Sequence, residues 1–361
     1  MTIRRLLNDA GRQLLVRRSL SLGVFIAIYG AIFSVAFPGV FLSFYNMSSM
    51  LLNMSSKLMI VLGMTVLLIG GEVDLSVGWN MSLCGVIYAL MMTKGGLPLG
   101  VAVALTVVIA MLSGLLIGII VAYLRVNSFI ATLGAGLIYY GLEFNISGGQ
   151  SVSHLGPNAT AIGMVKVLGL QTPIWYAAVL TVVFLYLMGR TRVFRQYFYI
   201  GFNREAARLS GIPVAEMKII GFVISSTLAG FAGIVSAAEY ANAMLLVGQN
   251  TALNSIMAAM VGGVSFTGGT GTMAGAVLGT FLIALINNSF VIGNVNSFLQ
   301  PIMIGLILLA VVILDARLSR TSIGGMSTGE SSVKSQDVAT QNEKGEGGDS
   351  VIPTDRRPST K

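Results

Sequence analysis

Long apolar runs, separated by a few polar or glycine-rich residues, dominate the chain from residue 20 to residue 314. A helix needs about 20 apolar residues, at 1.5 Å rise each, to cross a hydrocarbon layer of about 30 Å. By that measure about ten spans can be marked off, at 20–42, 50–70, 76–93, 98–123, 128–147, 173–189, 218–238, 252–267, 272–292 and 297–314. The pattern predicts an all-α, polytopic transmembrane helical bundle, since helices satisfy their own backbone groups in lipid. The first run is too long for a signal-peptide core and lacks an obvious cleavage site, so it reads as a membrane anchor. The run 252–267 is short and interrupted by glycine, and the parity of every later span depends on it.

Composition fits this reading, because hydrophobic residues make up 55% of the 361 and charged residues only 10%. Charge then orients the bundle. Arg4, Arg5, Arg12, Arg17 and Arg18 stand against Asp9 alone before the first span, which places segment 1–19 in the cytoplasm. Ten crossings put 124–127, 190–217 and 315–361 on the same side. Those stretches hold Arg125, then Arg190, Arg192, Arg195, Arg204 and Arg208, then Arg317 and Arg320. The opposite connections offer only Lys94, His154 and Lys166 as cations. The net charge of +8 is thus a topology signal, and nucleic acid is not an expected partner. Residues 321–361 are polar and of low complexity, and read as a disordered cytoplasmic tail after a membrane domain at 20–320. The expected location is the cell's inner membrane, with both termini cytoplasmic.

The chemistry of enzymes is missing. One cysteine, Cys84, within an apolar run, excludes a disulfide framework and reads as a core residue. One histidine leaves no HExxH pair or histidine-rich metal cluster, and no GxxxxGK[ST] occurs, so no catalytic residue, metal or cofactor is expected. Energy from ATP would have to come from another subunit.

One charged stretch stands out, NREAARLSGIPVAEMK at 203–218. Asn203 is a good N-cap, Glu205 complements the helix dipole, and Ala206, Ala207, Arg208 and Leu209 favour helix. Gly211 supplies a stop with Pro213 beyond it. The stretch predicts a helix over 204–210 whose apolar edge, Ala206, Leu209 and Ile212, needs a surface to lie on. Arg204 reads as a charge on the exposed first turn.

Gly70-Gly71 and Gly262-Gly263 interrupt apolar runs in the same way, at an offset of 192 residues, which points to two related halves. Broken helices at corresponding places can line a transport pathway, whereas close helix packing is the alternative use of such glycines. Glu72 and Asp74 follow the first break. A carboxylate at mid-membrane costs about 2.5–3.5 kcal/mol on insertion scales, so Asp74 is expected as an interfacial cap for the helix beginning at Leu75 and Glu72 as the partner of a cytoplasmic arginine. Asn127, Asn287 and Asn288 are polar candidates for the pathway.

Several of these stretches carry a resemblance. Glu205-Ala206-Ala207, three residues and Gly211 resemble the EAA-type motif of ABC importer permeases, and GFNREAARLSGIPVAEMKI is similar to its form in the ribose-type branch of simple-sugar permeases. GGEVDLSVG at 70–78 resembles that branch's GG(I)DLSVG signature, with Glu72 where a nonacidic residue is usual. RVNSFIATLGAGLIYYGLEF at 125–144 and AAMVGGVSFTGGTGTMAGAVLGTFLI at 258–283 are similar to its next helix and its second glycine-rich element. The likeness covers about residues 50–315. It implies a permease subunit of an importer for a sugar-like solute, coupled to a cytoplasmic ATPase through Asn203, Glu205, Ala206, Ala207, Leu209 and Gly211. It also implies a periplasmic solute-binding protein and a second permease copy or paralogue. Gly70, Gly71, Glu72, Asp74, Asn127, Gly262 and Gly263 become the broken-helix and pathway candidates. An ion- or proton-coupled secondary carrier is the alternative, though no acidic relay runs through the spans.

Overall fold

The computed structural model describes residues 18–296, with 298–300, 302, 303, 305, 306 and 309. Nearly all of the expected cytoplasmic segment 1–19, much of the run 297–314 and the whole tail 321–361 lie outside these residues. The chain divides into units 1–304 and 305–361, and all the elements below belong to the first.

Twelve helices are described: α1 (Arg18–Ala36), α2 (Phe44–Ile69), α3 (Val77–Thr93), α4 (Leu99–Ala122), α5 (Ser128–Ser147), α6 (Pro157–Met164), α7 (Thr172–Arg190), α8 (Arg192–Phe202), α9 (Arg204–Leu209), α10 (Val214–Glu239), α11 (Thr251–Val261) and α12 (Met273–Ile292). Four two-residue strands form two small antiparallel ladders. One joins Val152–Ser153 to Asn242–Ala243, and the other joins Lys166–Val167 to Leu170–Gln171. Among the described residues six helices, α2, α4, α5, α7, α10 and α12, are long and apolar enough to cross a membrane, while the apolar parts of α1, α3 and α11 are shorter. Of the ten expected runs, the described residues show six full-length helices and three shorter ones, and most of the tenth, 297–314, lies outside them. The first run ends at Ala36 rather than residue 42, because Pro38 cannot continue a helix.

Helices α2 and α10 form the centre, buried along most of their apolar length, whereas α4, α5 and α7 expose rows of large apolar residues such as Leu116, Ile130 and Val182. In a membrane those rows face lipid and no hydrophobic force drives the helices together, so contact depends on close approach. Small residues supply it. A side chain at Gly114 would crowd Phe222 O at 2.5 Å, and one at Gly233 would overlap Met81 O. Cys84 is fully buried, with its thiol 3.4 Å from Asn80 Oδ1.

The run 252–267 is not a span as drawn. Helix α11 stops at Val261 because Gly263, at φ 87°, ends it with the bonds Gly263 N–H to Met260 O and Val264 N–H to Ala259 O. Residues 262–271 are a turn. The chain reaches α11 through the irregular segment 244–250, which packs on α3, where Gly248 N–H donates to Ser82 Oγ at 2.9 Å. Within a membrane, irregular backbone is tolerated only where protein or a water-filled cavity surrounds it.

Candidate coupling junction and solute cavity

The charged stretch forms the expected helix. Asn203 Oδ1 accepts from Ala206 N–H at 3.0 Å, and α9 closes on Gly211, at φ 81°, with Gly211 N–H bonded to Arg208 O and Ile212 N–H to Ala207 O. These two bonds make a Schellman stop, which a residue with a β-carbon resists. Only Ala207 of the helix is buried; Glu205, Ala206 and Leu209 are exposed, and so is Phe202 just before it. Helix α8 precedes α9 and was not foreseen. It lies with Tyr197 and Ile200 buried and Arg192 and Arg195 outward, and Tyr197 donates to Met217 O at 2.8 Å.

Behind α9 three segments meet. The first glycine break ends α2 with the same Schellman pair, Gly71 N–H to Leu68 O and Glu72 N–H to Leu67 O, with Gly71 at φ 74°. The turn after α11 docks on it, since Gly269 N–H donates to Ile69 O at 2.8 Å. Gly201, at the end of α8, fits between the two, where a side chain would overlap Ile69 O and Gly269 N. The first break and the turn that follows the second thus meet at one site.

Charge fastens this junction. Arg204 donates to Gly71 O at 2.6 Å and lies 2.8 Å from Glu72 Oε1, and Lys218 Nζ at the start of α10 is 2.8 Å from the same oxygen. The two contacts at Oε1 are ionic by distance and lack hydrogen-bond alignment. Glu72 does pair with an arginine, as expected. Arg204 is not the idle first-turn charge that its sequence position implied.

Asp74 differs from expectation. It is fully buried, and α3 begins at Val77. Its Oδ1 accepts from both the backbone N–H and the hydroxyl of Ser76, at 2.9 and 2.5 Å, and its Oδ2 from Ser225 at 3.3 Å. The carboxylate therefore caps the break from inside the bundle. Hydroxyls of α5 take two further donors of this irregular segment: Leu75 N–H bonds Thr132 Oγ1 at 3.0 Å and Val73 N–H reaches Ser128 Oγ at 3.4 Å.

A cavity of about 470 Å³ opens elsewhere, between α2, α11 and α12. None of Gly70, Gly71, Glu72, Asp74, Gly262 or Gly263 lines it. Side chains at Gly262 and Gly279 would overlap Gly275 O and Ala258 O, so at these positions glycine serves close packing. Asn127 is exposed and caps α5 through Phe129 N–H at 2.9 Å. Asn287 and Asn288 do line the cavity. Opposite them stands a stripe on α2, Asn46, Ser49, Asn53 and Lys57, with Asn254 from α11. Asn46 and Asn288 exchange amide hydrogen bonds of 3.0 and 2.8 Å. The stripe was legible as polar residues three and four apart on an apolar span, a signal that sequence reasoning passed over.

Comparison with known proteins gives a consistent picture. Residues 46–313 match the model of a family described as branched-chain amino acid transport system / permease component. The xylose transport system permease protein of Haemophilus influenzae is 31% identical over 351 residues, covering 80% of this chain and 94% of that protein. The L-arabinose transport system permease protein of Escherichia coli is 34% identical over 275 residues, 76% of this chain and 84% of that protein. The ribose import permease protein of Haemophilus influenzae is 32% identical over 309 residues, 84% and 94% of the two chains. No solved structure matches.

Proposed function

The chain belongs to the family of membrane transport-system permease components, and from that premise we propose that it carries a sugar or sugar-like solute inward as the membrane subunit of an ATP-driven importer. The permeases of xylose, arabinose and ribose transport systems support that reading over a gradient-driven carrier. The amide-rich cavity supplies donors and acceptors suited to hydroxyl groups. Its volume falls within the ~300–1,000 Å³ of small-molecule sites.

The single observation that carries the mechanism is the junction. An ATPase docked from the cytoplasm on the exposed face of α9, over Phe202, Ala206 and Leu209, would push on a helix whose first residue grips the α2 break directly. Arg204 passes that displacement to Gly71 and Glu72, and Lys218 passes it to the foot of α10. Gly269 carries it to the segment between α11 and α12. All three cavity-lining helices thus connect with the junction, through the end of α2 and the turn joining α11 to α12. A rigid-body tilt there would open the cavity to alternate faces. In this reading 190–217 and both termini are cytoplasmic, a second permease copy or paralogue completes the pathway, and a periplasmic binding protein delivers the solute.

The test is reconstitution in liposomes. The chain with its ATPase and binding protein should accumulate solute only with ATP, and the chain alone should accumulate none under proton or sodium gradients. Gradient-driven uptake by the chain alone would overturn the proposal.

A further inference from the structure

Lys57 lies in the middle of α2, on the face that lines the cavity. It is exposed there while its neighbours Ser56 and Leu58 are buried. A cation is costly to hold within a membrane span unless something answers its charge. Among the described residues no carboxylate oxygen lies within 4.0 Å of its ammonium, and no carboxylate is among the residues lining the cavity. Glu239, at the end of α10, attracts Lys57 only from a greater distance. Its neighbour Tyr240 donates to Asn53 Oδ1 at 3.4 Å, on the stripe one turn before Lys57.

We propose that the solute carries one carboxylate on a polyhydroxylated skeleton, a sugar acid, and that Lys57 is the residue that receives the carboxylate. The inference rests on the importer reading above and specifies its solute. The neutral amides of Asn53, Asn254, Asn287 and Asn288 serve hydroxyls, each offering both donor and acceptor. Each chain offers one fixed ammonium to its own cavity, so a dianionic phosphate ester bound there would bring an unanswered charge into the span. A free amino acid fits worse, since among the described residues this chain's wall holds no carboxylate to take its ammonium. The bound acid would answer the charge of Lys57 during passage, and solute entry is therefore favoured over that of the neutral sugar.

The experiment measures ATP-dependent uptake by the complete importer for matched pairs, each a neutral aldose, its uronic or aldonic acid, and its phosphate ester. Wild type should favour an acid. Lys57→Gln should lower that uptake about tenfold, equivalent to about 1.4 kcal/mol, with membrane abundance and ATPase copurification unchanged, and Lys57→Arg should retain most of it. Lys57→Met, tested alongside, should behave as Lys57→Gln does. ATP-dependent uptake of a neutral aldose alone, indifferent to Lys57→Gln, would overturn the sugar-acid assignment and leave the importer reading standing. Preference for the phosphate ester would overturn it too. So would recovery of acid uptake in Lys57→Gln/Glu239→Gln, because Lys57 would then serve only to balance Glu239. Absence of ATP-dependent uptake for every compound would overturn both readings.

Discussion

The two glycine breaks have the same backbone and opposite chemistry. Each ends a helix with a Schellman pair, the second glycine at φ 74° in one and 87° in the other. The first break is followed by Glu72, buried against Arg204 and Lys218. After the second comes a turn in which Gly268, Gly269 and Gly271 all have positive φ and no charge is present. The first is held by ions and the second by backbone contact. In the proposed mechanism the ionic contact takes up the motion of α9 and the backbone contact at Gly269 hands it on to the turn joining α11 to α12.

Backbone contact is the less forgiving of the two. Gly201→Val should have the largest effect, because its side chain would meet backbone on both sides, at Ile69 O and Gly269 N. A loss of about 3 kcal/mol is expected, read as a lowered unfolding temperature of the purified chain in detergent and poor recovery from membranes. An unchanged unfolding temperature would show that the breaks do not rest on each other.

Removing the charge should cost less. Glu72→Gln leaves Lys218, whose side chain is only 15% exposed, beside a neutral amide, and about 2 kcal/mol is expected. A double-mutant cycle with Lys218→Met should return a coupling of about 1 kcal/mol. Additive effects would mean that the 2.8 Å contact contributes nothing.

Gly211→Val comes next. Open space surrounds this glycine, so the cost is conformational alone, about 1–2 kcal/mol for a side chain forced to positive φ. Insertion should remain normal while ATPase copurification falls. Normal copurification and hydrolysis would remove α9 from the coupling role. The smallest effect belongs to Arg204→Ala. The side chain is 49% exposed, and half-exposed ion pairs contribute about 0.5–1 kcal/mol. Its stability change should be small in the same assay, with a larger change in coupling.

These differences also show what was readable from the residues alone. Helix α9 was legible nearly to its last residue, because Asn203 and Gly211 are local signals whose effect needs no tertiary partner. The pairing of Glu72 with an arginine was legible as well, since a carboxylate near a span must be answered. Its actual partner, 132 positions on in the chain, was hidden by the apparent exposure of a first-turn arginine. Burial was not legible for Asp74, because nothing local reveals that Ser76 and Ser225 surround it inside the bundle. The extent of α11 was misjudged for a related reason. The apolar pattern runs on through 262–267, but Gly263 turns the chain, and the irregular segment before α11 has no periodicity to betray it. The cavity was half legible. Asn287 and Asn288 were named from polarity, while Lys57 and its stripe on α2 were lost within a run read only for hydrophobicity.

The central claim is that the charged break transmits the motion of α9 to the cavity helices. Its most direct test is the number of solute molecules imported per ATP hydrolysed by liposomes holding the complete importer, compared between wild type and Glu72→Gln below the unfolding temperature of both. The account predicts that the variant still binds its ATPase and still hydrolyses ATP, while the ratio falls about tenfold, equivalent to about 1.4 kcal/mol of lost coupling. A wild-type ratio in Glu72→Gln would contradict it.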